Sequence, residues 1–96
     1  MSTFYNEREW LNPHDSPSTG SVVAYDGEWV YNENGKEEKT RNMFIEFASC
    51  HDKCKIHKTT QDTVEEYINK VRKLYDHIGR YLCYLEDLPD SEKNIK

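Results

Sequence analysis

The stretch that decides the fold is Gly20–Tyr31, which reads GSVVAYDGEWVY. Two β-prone runs flank the dipeptide Asp26-Gly27, and Asp-Gly is typical of two-residue hairpin turns because both turn positions need positive φ. Such a turn pairs the two runs with each other, and alternation along a strand then sets the side chains that share a face. The inward-facing set is predicted to be Val22, Ala24, Trp29 and Tyr31.

A further strand is predicted downstream of this hairpin. Asn34-Gly35 is a second turn signal, and the segment 42–48 alternates apolar and mixed positions. Its more apolar side carries Met43, Ile45 and Phe47, while Phe44, Glu46 and Ala48 lie on the other side. The three strands are expected to form an antiparallel meander.

From residue 60 to 88 the period of the apolar residues changes to that of an amphipathic helix. Thr60 or Asp62 is expected to cap its start, with Asp62 and Glu65 as a capping box, and Pro89 is expected to close it. The apolar stripe recurs at alternating intervals of four and three and comprises Val64, Ile68, Val71, Tyr75, Ile78, Leu82 and Leu85, widened by Tyr67, Leu74, Tyr81 and Leu88.

The predicted fold class is α+β, a three-stranded antiparallel meander with one long C-terminal amphipathic helix packed across it. Residues 1–19 are expected to be an extended N-terminal arm, 20–89 a single α+β domain and 90–96 a flexible tail. The helix would be about 40 Å long, whereas strands of five or six residues span about 17–20 Å. The sheet is therefore too short to bury the whole apolar stripe of the helix. The rest is expected to be buried by the arm (Phe4, Tyr5, Trp10, Leu11), by a bend at Gly79 that folds the helix back, or by a second copy of the chain.

Composition indicates a small folded protein of a reducing compartment. The chain has 96 residues, a net charge of −5 and aromatic side chains numerous enough to close a thin core. Three cysteines are an odd number, and no apolar run is long enough to cross a bilayer. The expected location is the cytoplasm, or the host cytoplasm if the gene belongs to a phage.

A weak metal-binding pattern lies between the last strand and the helix. Cys50, Cys54 and His57 supply three of the four ligands that zinc prefers. The alternative is that Cys50 merely ends a strand and that the histidines are solvated. The fourth ligand would have to come from one of the remaining histidines or from the third cysteine, namely His14, His51, His77 or Cys83.

Charge is unevenly distributed along the chain. The only locally basic stretch is 36–58, and it could contact nucleic-acid phosphates, although interspersed acids favour an ordinary solvated surface. Its cations are Lys36, Lys39, Arg41, Lys53, Lys55 and Lys58. The first 35 residues are acidic and could instead imitate nucleic acid; their acids are Glu7, Glu9, Asp15, Asp26, Glu28 and Glu33.

The sequence carries no recognised catalytic motif, so an enzyme is not expected. Tyrosine and tryptophan anchor protein interfaces well, although they could equally cap a thin core. The predicted function is a small acidic interaction module that docks on a larger protein, as regulators and phage-type inhibitors of host machinery do. The alternative is a nucleic-acid-binding module, with or without zinc. The residues proposed for a protein partner are Trp10, Tyr67, Tyr81, Tyr84 and Leu88.

Overall fold

The computed structural model describes residues 2–17 and 19–96 and shows an α+β fold. An antiparallel sheet precedes a long C-terminal helix, which confirms the predicted fold class. Met1 and Ser18, which belong to the predicted arm, lie outside the described residues. The elements are β1 (Ser2–Trp10), β2 (Ser21–Glu33), β3 (Lys36–Ala48), β4 (Lys53–His57), α1 (Val64–Glu86) and α2 (Asp90–Lys93).

The chain divides into two compact units, each described here by itself. The sheet unit extends to Gln61, and the helical unit is Asp62–Lys96. The strands of the sheet unit follow one another in the order β1-β2-β3-β4, all antiparallel. The meander has four strands instead of three: the two predicted runs of 20–31 belong to one strand, β2, and two strands are added, residues 2–10 of the predicted arm beside β2 and residues 53–57 beside β3.

The predicted turn at Asp26-Gly27 is wrong. β2 runs straight through this dipeptide, whose partners on β3 are Met43 and Asn42. The chain turns at Asn34-Gly35 instead, where φ is 55° and 79°. Both dipeptides suit a tight turn, but only the second lets two strands of 13 residues pair along their whole length.

This change of turn also changes which side chains share a face. The face that we call the Ile45 face carries Val22 and Ala24 of β2 opposite Phe47 and Ile45 of β3. Trp29 and Tyr31 lie an odd number of residues away from Val22, so they belong to the opposite side, the Phe44 face. The predicted inward-facing set is therefore split between the two faces.

The helix α1 begins one residue after Thr63, which caps it. The Thr63 hydroxyl accepts a hydrogen bond from the Glu66 N–H, and the Glu66 carboxylate accepts one from the Thr63 N–H, both at 3.1 Å. The predicted box of Asp62 and Glu65 was wrong by one residue. Asp62 instead accepts a hydrogen bond from the Lys70 ammonium at 2.8 Å.

The C-terminal part of the chain is helical almost to its end. α1 continues through Gly79 to Glu86, without the fold-back considered at Gly79, and Asp87 caps it. Pro89 then precedes the single turn α2, which lies inside the predicted tail. No helix in the part of the chain that the structure describes has the length and apolar character needed to cross a membrane.

Candidate protein-docking surfaces

The apolar stripe of α1 follows a heptad repeat over three heptads. Ile68, Tyr75 and Leu82 occupy positions a, while Val64, Val71, Ile78 and Leu85 occupy positions d. Several residues of the stripe are about half exposed or more, with Ile68 and Ile78 each 47%, Leu82 51% and Tyr75 77% exposed, whereas Val71 and Leu85 are less exposed. We call these seven residues, with the four described next, the α1 stripe.

The α1 stripe is wider than the seam of a two-stranded coiled coil. Each residue that precedes an a position is also apolar, which makes three positions of every seven apolar instead of two. A stripe of this width suits a helix that lies in a groove between two neighbouring elements. The four flanking residues are Tyr67, Leu74 and Tyr81 at position g, and Leu88, which continues their spacing just beyond the last residue of α1.

The partner-binding residues predicted on the helix differ in accessibility. Tyr81 and Tyr84 are about 60% exposed, and Leu88 is half-buried. Tyr67 is only 8% exposed, so it cannot offer the broad contact surface that was predicted for it. Tyr84 lies at position c, beside the g residues, so it extends the α1 stripe on one side.

Trp10 is the most exposed tryptophan and lies at the end of β1. It is 64% exposed, and the Arg8 guanidinium lies 5.3 Å from its ring centroid. The indole borders a hollow of about 350 Å³ that is also lined by Pro13, His14 and Gly20. An exposed tryptophan beside a hollow is a common form of interface anchor.

The centre of the Phe44 face is a stacked aromatic pair. The Tyr25 and Phe44 rings lie 5.0 Å apart at an interplanar angle of 17°, and the Lys55 ammonium lies 4.2 Å from the Phe44 centroid. Gly27 makes room for the Tyr25 ring, because a Cβ built there would lie 2.7 Å from the tyrosine Cζ. The small residue thus lets an aromatic side chain cover the backbone of its own strand.

The predicted metal ligands are not brought together. Cys54 and His57 lie three residues apart on β4, so their side chains leave the strand on opposite faces. A helical turn or a tight loop would have brought them together, but pairing with Phe47 and Phe44 makes this segment a strand. No group of three or more potential ligands suited to a metal occurs among residues 2–17 and 19–96.

Cys50 interacts with the loop that precedes β2. Its sulfur accepts a hydrogen bond from the Thr19 N–H at 3.2 Å and lies 3.8 Å from the Thr19 hydroxyl. These hydrogen bonds, that from the backbone N–H foremost, lower the pKa of the Cys50 thiol. All three cysteines are free and exposed.

The basic residues of 36–58 do not form one surface. Lys39 and Arg41 lie on the Ile45 face, whereas Lys53 and Lys55 lie on the Phe44 face. Lys36 pairs with Glu33 at the turn, about 40 Å along β3 from the end that pairs with Lys53. The Arg41 guanidinium is also bound to the Asp26 carboxylate.

The acidic residues are gathered more closely. Glu7 and Glu9 of β1 lie opposite Ala24 and Val22, and so share the Ile45 face with Asp26 and Glu28. The Tyr5 hydroxyl donates a hydrogen bond to Glu7, which raises the pKa of that tyrosine. Lys39 and Arg41 lie on the same face, so it is of mixed charge. The other two predicted acids lie elsewhere: Asp15 in the 11–20 loop and Glu33 beside the turn.

Three of the predicted basic residues, Lys39, Arg41 and Lys58, do lie together, in a groove that arises from the unequal lengths of β3 and β4. β4 pairs only with the segment Phe44–Ala48, so β3 from Lys36 to Asn42 has no strand on that side among the described residues. A groove of about 550 Å³ lies there, between β3 and the residues that follow β4. We call it the β3 groove; it is lined by Lys39, Thr40, Arg41, Asn42, His57, Lys58, Thr59 and Thr60.

Comparison with known proteins gives no relative for this chain. No family model matches its sequence, and no curated protein or solved structure matches it either.

Proposed function

We propose that this chain is a small acidic protein-interaction module, not an enzyme, and that it docks on a larger protein through the α1 stripe. The observation that carries the proposal is the exposure of the stripe, with Ile78 and Leu82 about half accessible and Tyr75 and Tyr81 more so. Exposed large apolar side chains that recur along one side of a helix, here Tyr75, Ile78, Tyr81 and Leu82, favour a binding surface.

The width of the α1 stripe favours a groove on a larger protein over a second copy of the chain. A homodimer would cover the a and d positions, but Tyr81 at position g, Tyr84 beside it and Leu88 just beyond the helix would stay outside that seam. A groove with two walls covers all three positions at once. We therefore assign the stripe to the groove of another protein.

The stripe is large enough to contribute substantially to binding. Covering the remaining exposed half of Ile78 or Leu82 is worth roughly 1 kcal/mol each. The tyrosines add larger areas with few rotatable bonds, which is why tyrosine is enriched among residues that dominate interfaces. Tyr81 and Tyr84 are therefore the proposed anchors.

The charge pattern supports a protein partner more than nucleic acid. The acids of the Ile45 face are interleaved with Lys39 and Arg41, so we do not extend the proposal to imitation of nucleic acid. The basic residues are divided between two faces, which weakens the alternative of a nucleic-acid-binding module. Regulation or inhibition of larger machinery, in a reducing compartment that suits three exposed thiols, is the proposed role.

The test is to recover a partner and then to ask which face of α1 it needs. Leu82→Glu places a charge in the stripe, and Cys83→Glu places the same charge one residue away on the opposite, exposed side of the helix. We expect the wild-type chain and Cys83→Glu to form a complex of fixed stoichiometry with the purified partner. Leu82→Glu should weaken it by about tenfold or more. Equal binding by both variants, or a stable complex of the chain with itself alone, would refute the proposal.

A further inference from the structure

The β3 groove lies along the part of the β3 edge that β4 does not reach. β4 lies beside β3 as far as His57, which pairs with Phe44, and the Lys58 N–H donates one more hydrogen bond, 2.8 Å long, to the Met43 carbonyl. The strand pairing with β3 ends there, and residues 59–60 border the groove. The groove therefore lies where a further strand would continue the line of β4.

The edge of β3 along this groove presents unused backbone hydrogen-bonding groups. The Met43 carbonyl points toward the groove, and backbone groups of alternate residues along a strand point the same way. The N–H and C=O groups of Arg41, Lys39 and Glu37 therefore also point into it. No strand in the described part of the chain pairs with them.

The lining of the groove is cationic. Lys39, Arg41 and Lys58 carry positive charge, and the other five lining residues have imidazole, hydroxyl or amide side chains. None of the described residues that line the groove is acidic, and the nearest acid on the same face of β3 is Glu37, two residues before Lys39. Arg41 already neutralises Asp26, so Lys39 and Lys58 supply most of the available charge.

We propose that the β3 groove binds an extended acidic segment of a protein partner, which adds to the sheet as a strand beside residues 37–41. Backbone hydrogen bonds to the open edge provide the pairing, as in other complexes formed by strand addition. Carboxylates at alternate positions of the segment then meet Lys39 and Lys58. The inference rests on the proposed function only in that the occupant is a protein segment, and it concerns a surface separate from the α1 stripe.

The probe is a blocked heptapeptide, Ac-Thr-Glu-Val-Glu-Val-Glu-Thr-NH₂, titrated into the ¹⁵N-labelled full chain at low salt. We expect the peptide to slow hydrogen exchange at the amides of Glu37, Lys39 and Arg41. The exchange rates of the intervening amides should not change, because these amides already face β2. The same peptide with its three central amides N-methylated, and the peptide with glutamine in place of glutamate, should each bind at least about fivefold more weakly.

A pair of variants separates backbone pairing from charge. Lys39→Gln and Lys39→Pro remove the same charge, but only proline also removes the N–H that points into the groove. Proline is tolerated at an edge position whose N–H faces away from the sheet. We expect Lys39→Gln to weaken peptide binding about threefold and Lys39→Pro to weaken it about fivefold further.

Several outcomes would overturn the inference. If the N-methylated peptide binds as well as the unmodified one, the peptide is held by charge and does not add as a strand. The same conclusion follows if amide exchange slows equally at all residues from 37 to 41, without the expected alternation. Binding of a single-stranded oligonucleotide or of inorganic phosphate in the groove, with no binding of the peptide, would assign it to phosphate. Leu82→Glu should bind the peptide like the wild type, because Leu82 is not part of the β3 groove. Failure of the peptide to bind would therefore refute this inference without refuting the proposal for the α1 stripe.

Discussion

The guanidinium of Arg41 donates two hydrogen bonds to the carboxylate of Asp26, from Nε to Oδ1 at 2.6 Å and from Nη2 to Oδ2 at 2.7 Å. The two residues lie on the same face of neighbouring strands, one step apart in register, because Asp26 pairs with Met43 and Arg41 with Glu28. This contact requires Asp26 to be a strand residue and Gly27 to follow it within β2. It thus belongs to the pairing that replaces the predicted turn.

The Asp26–Arg41 pair gives the stability a defined dependence on pH. The hydrogen bonds from Arg41 hold the pKa of Asp26 below its ordinary range, against a smaller opposing effect of burial. The contribution of the pair is therefore complete above the ordinary pKa of aspartate, near 4, and is lost as the pH falls through the lowered value. Urea unfolding of the wild type and Asp26→Asn at pH 6 and at pH 2 measures it. The wild type should be the more stable at pH 6, and the difference should shrink at pH 2; an unchanged difference would contradict this.

Gly27→Ala should destabilise the sheet unit by about 1–3 kcal/mol, the usual cost of overfilling a packed site. The new methyl group would meet the Tyr25 ring, which cannot move without leaving its stack on Phe44. Denaturant unfolding checks the loss. The same substitution in a Tyr25→Ala background should cost much less, and an equal cost there would show that the ring is not the obstacle.

Gly79→Ala should stabilise α1 by about 0.5–1 kcal/mol, because glycine is a poor helix former and nothing lies within 4 Å of the added methyl group. The circular dichroism at 222 nm should persist to a higher temperature than in the wild type. A lowered transition temperature would mean that the glycine is needed at that position for another reason.

Thr63→Ala should cost about 1 kcal/mol of helix stability, since it leaves the Glu66 N–H without its capping oxygen. Amide exchange in the first turn of α1 measures the effect locally. Thr60→Ala is the matched control, because Thr60 was an expected cap but is an exposed residue before the helix. Similar effects of the two substitutions would contradict the capping geometry.

Periodicity predicted the elements well where the pattern was long. The stripe of α1, with residues recurring at alternating intervals of four and three, predicted the helix and its apolar side, and the alternation at Met43, Ile45 and Phe47 predicted the strand that is part of β3. These patterns persist over many residues, so no single tertiary contact can override them.

Local turn signals were less decisive, because only one of the two predicted turns, that at Asn34-Gly35, is present. Asp26-Gly27 and Asn34-Gly35 both favour a tight turn, and the choice depends on how many residues can pair across it. The capping box was displaced by one residue for a similar reason, since both Asp62-x-x-Glu65 and Thr63-x-x-Glu66 fit the motif.

The candidate sites depended on pairing that the sequence could not supply. Cys54 and His57 share a face only if their segment is helical or looped, and its pairing with β3 separates them. The β3 groove exists because β4 stops at His57 while β3 continues to Lys36, and no composition signal marks a strand that is shorter than its neighbour. Tyr67 belonged to the predicted interface by periodicity alone, whereas its burial depends on tertiary structure.

The central claim, that the α1 stripe is open in the free chain and is covered by a partner, is tested most directly by amide hydrogen exchange of the free protein at a concentration where its native mass is that of a monomer. An uncovered helix of this length is marginal in water, so the amides of α1 should exchange many times faster than those of Ala24 and Ile45 in the centre of the sheet. If the α1 amides in the monomer are as protected as those of the sheet, the stripe is already covered by its own chain, and the account of it as a docking surface is wrong.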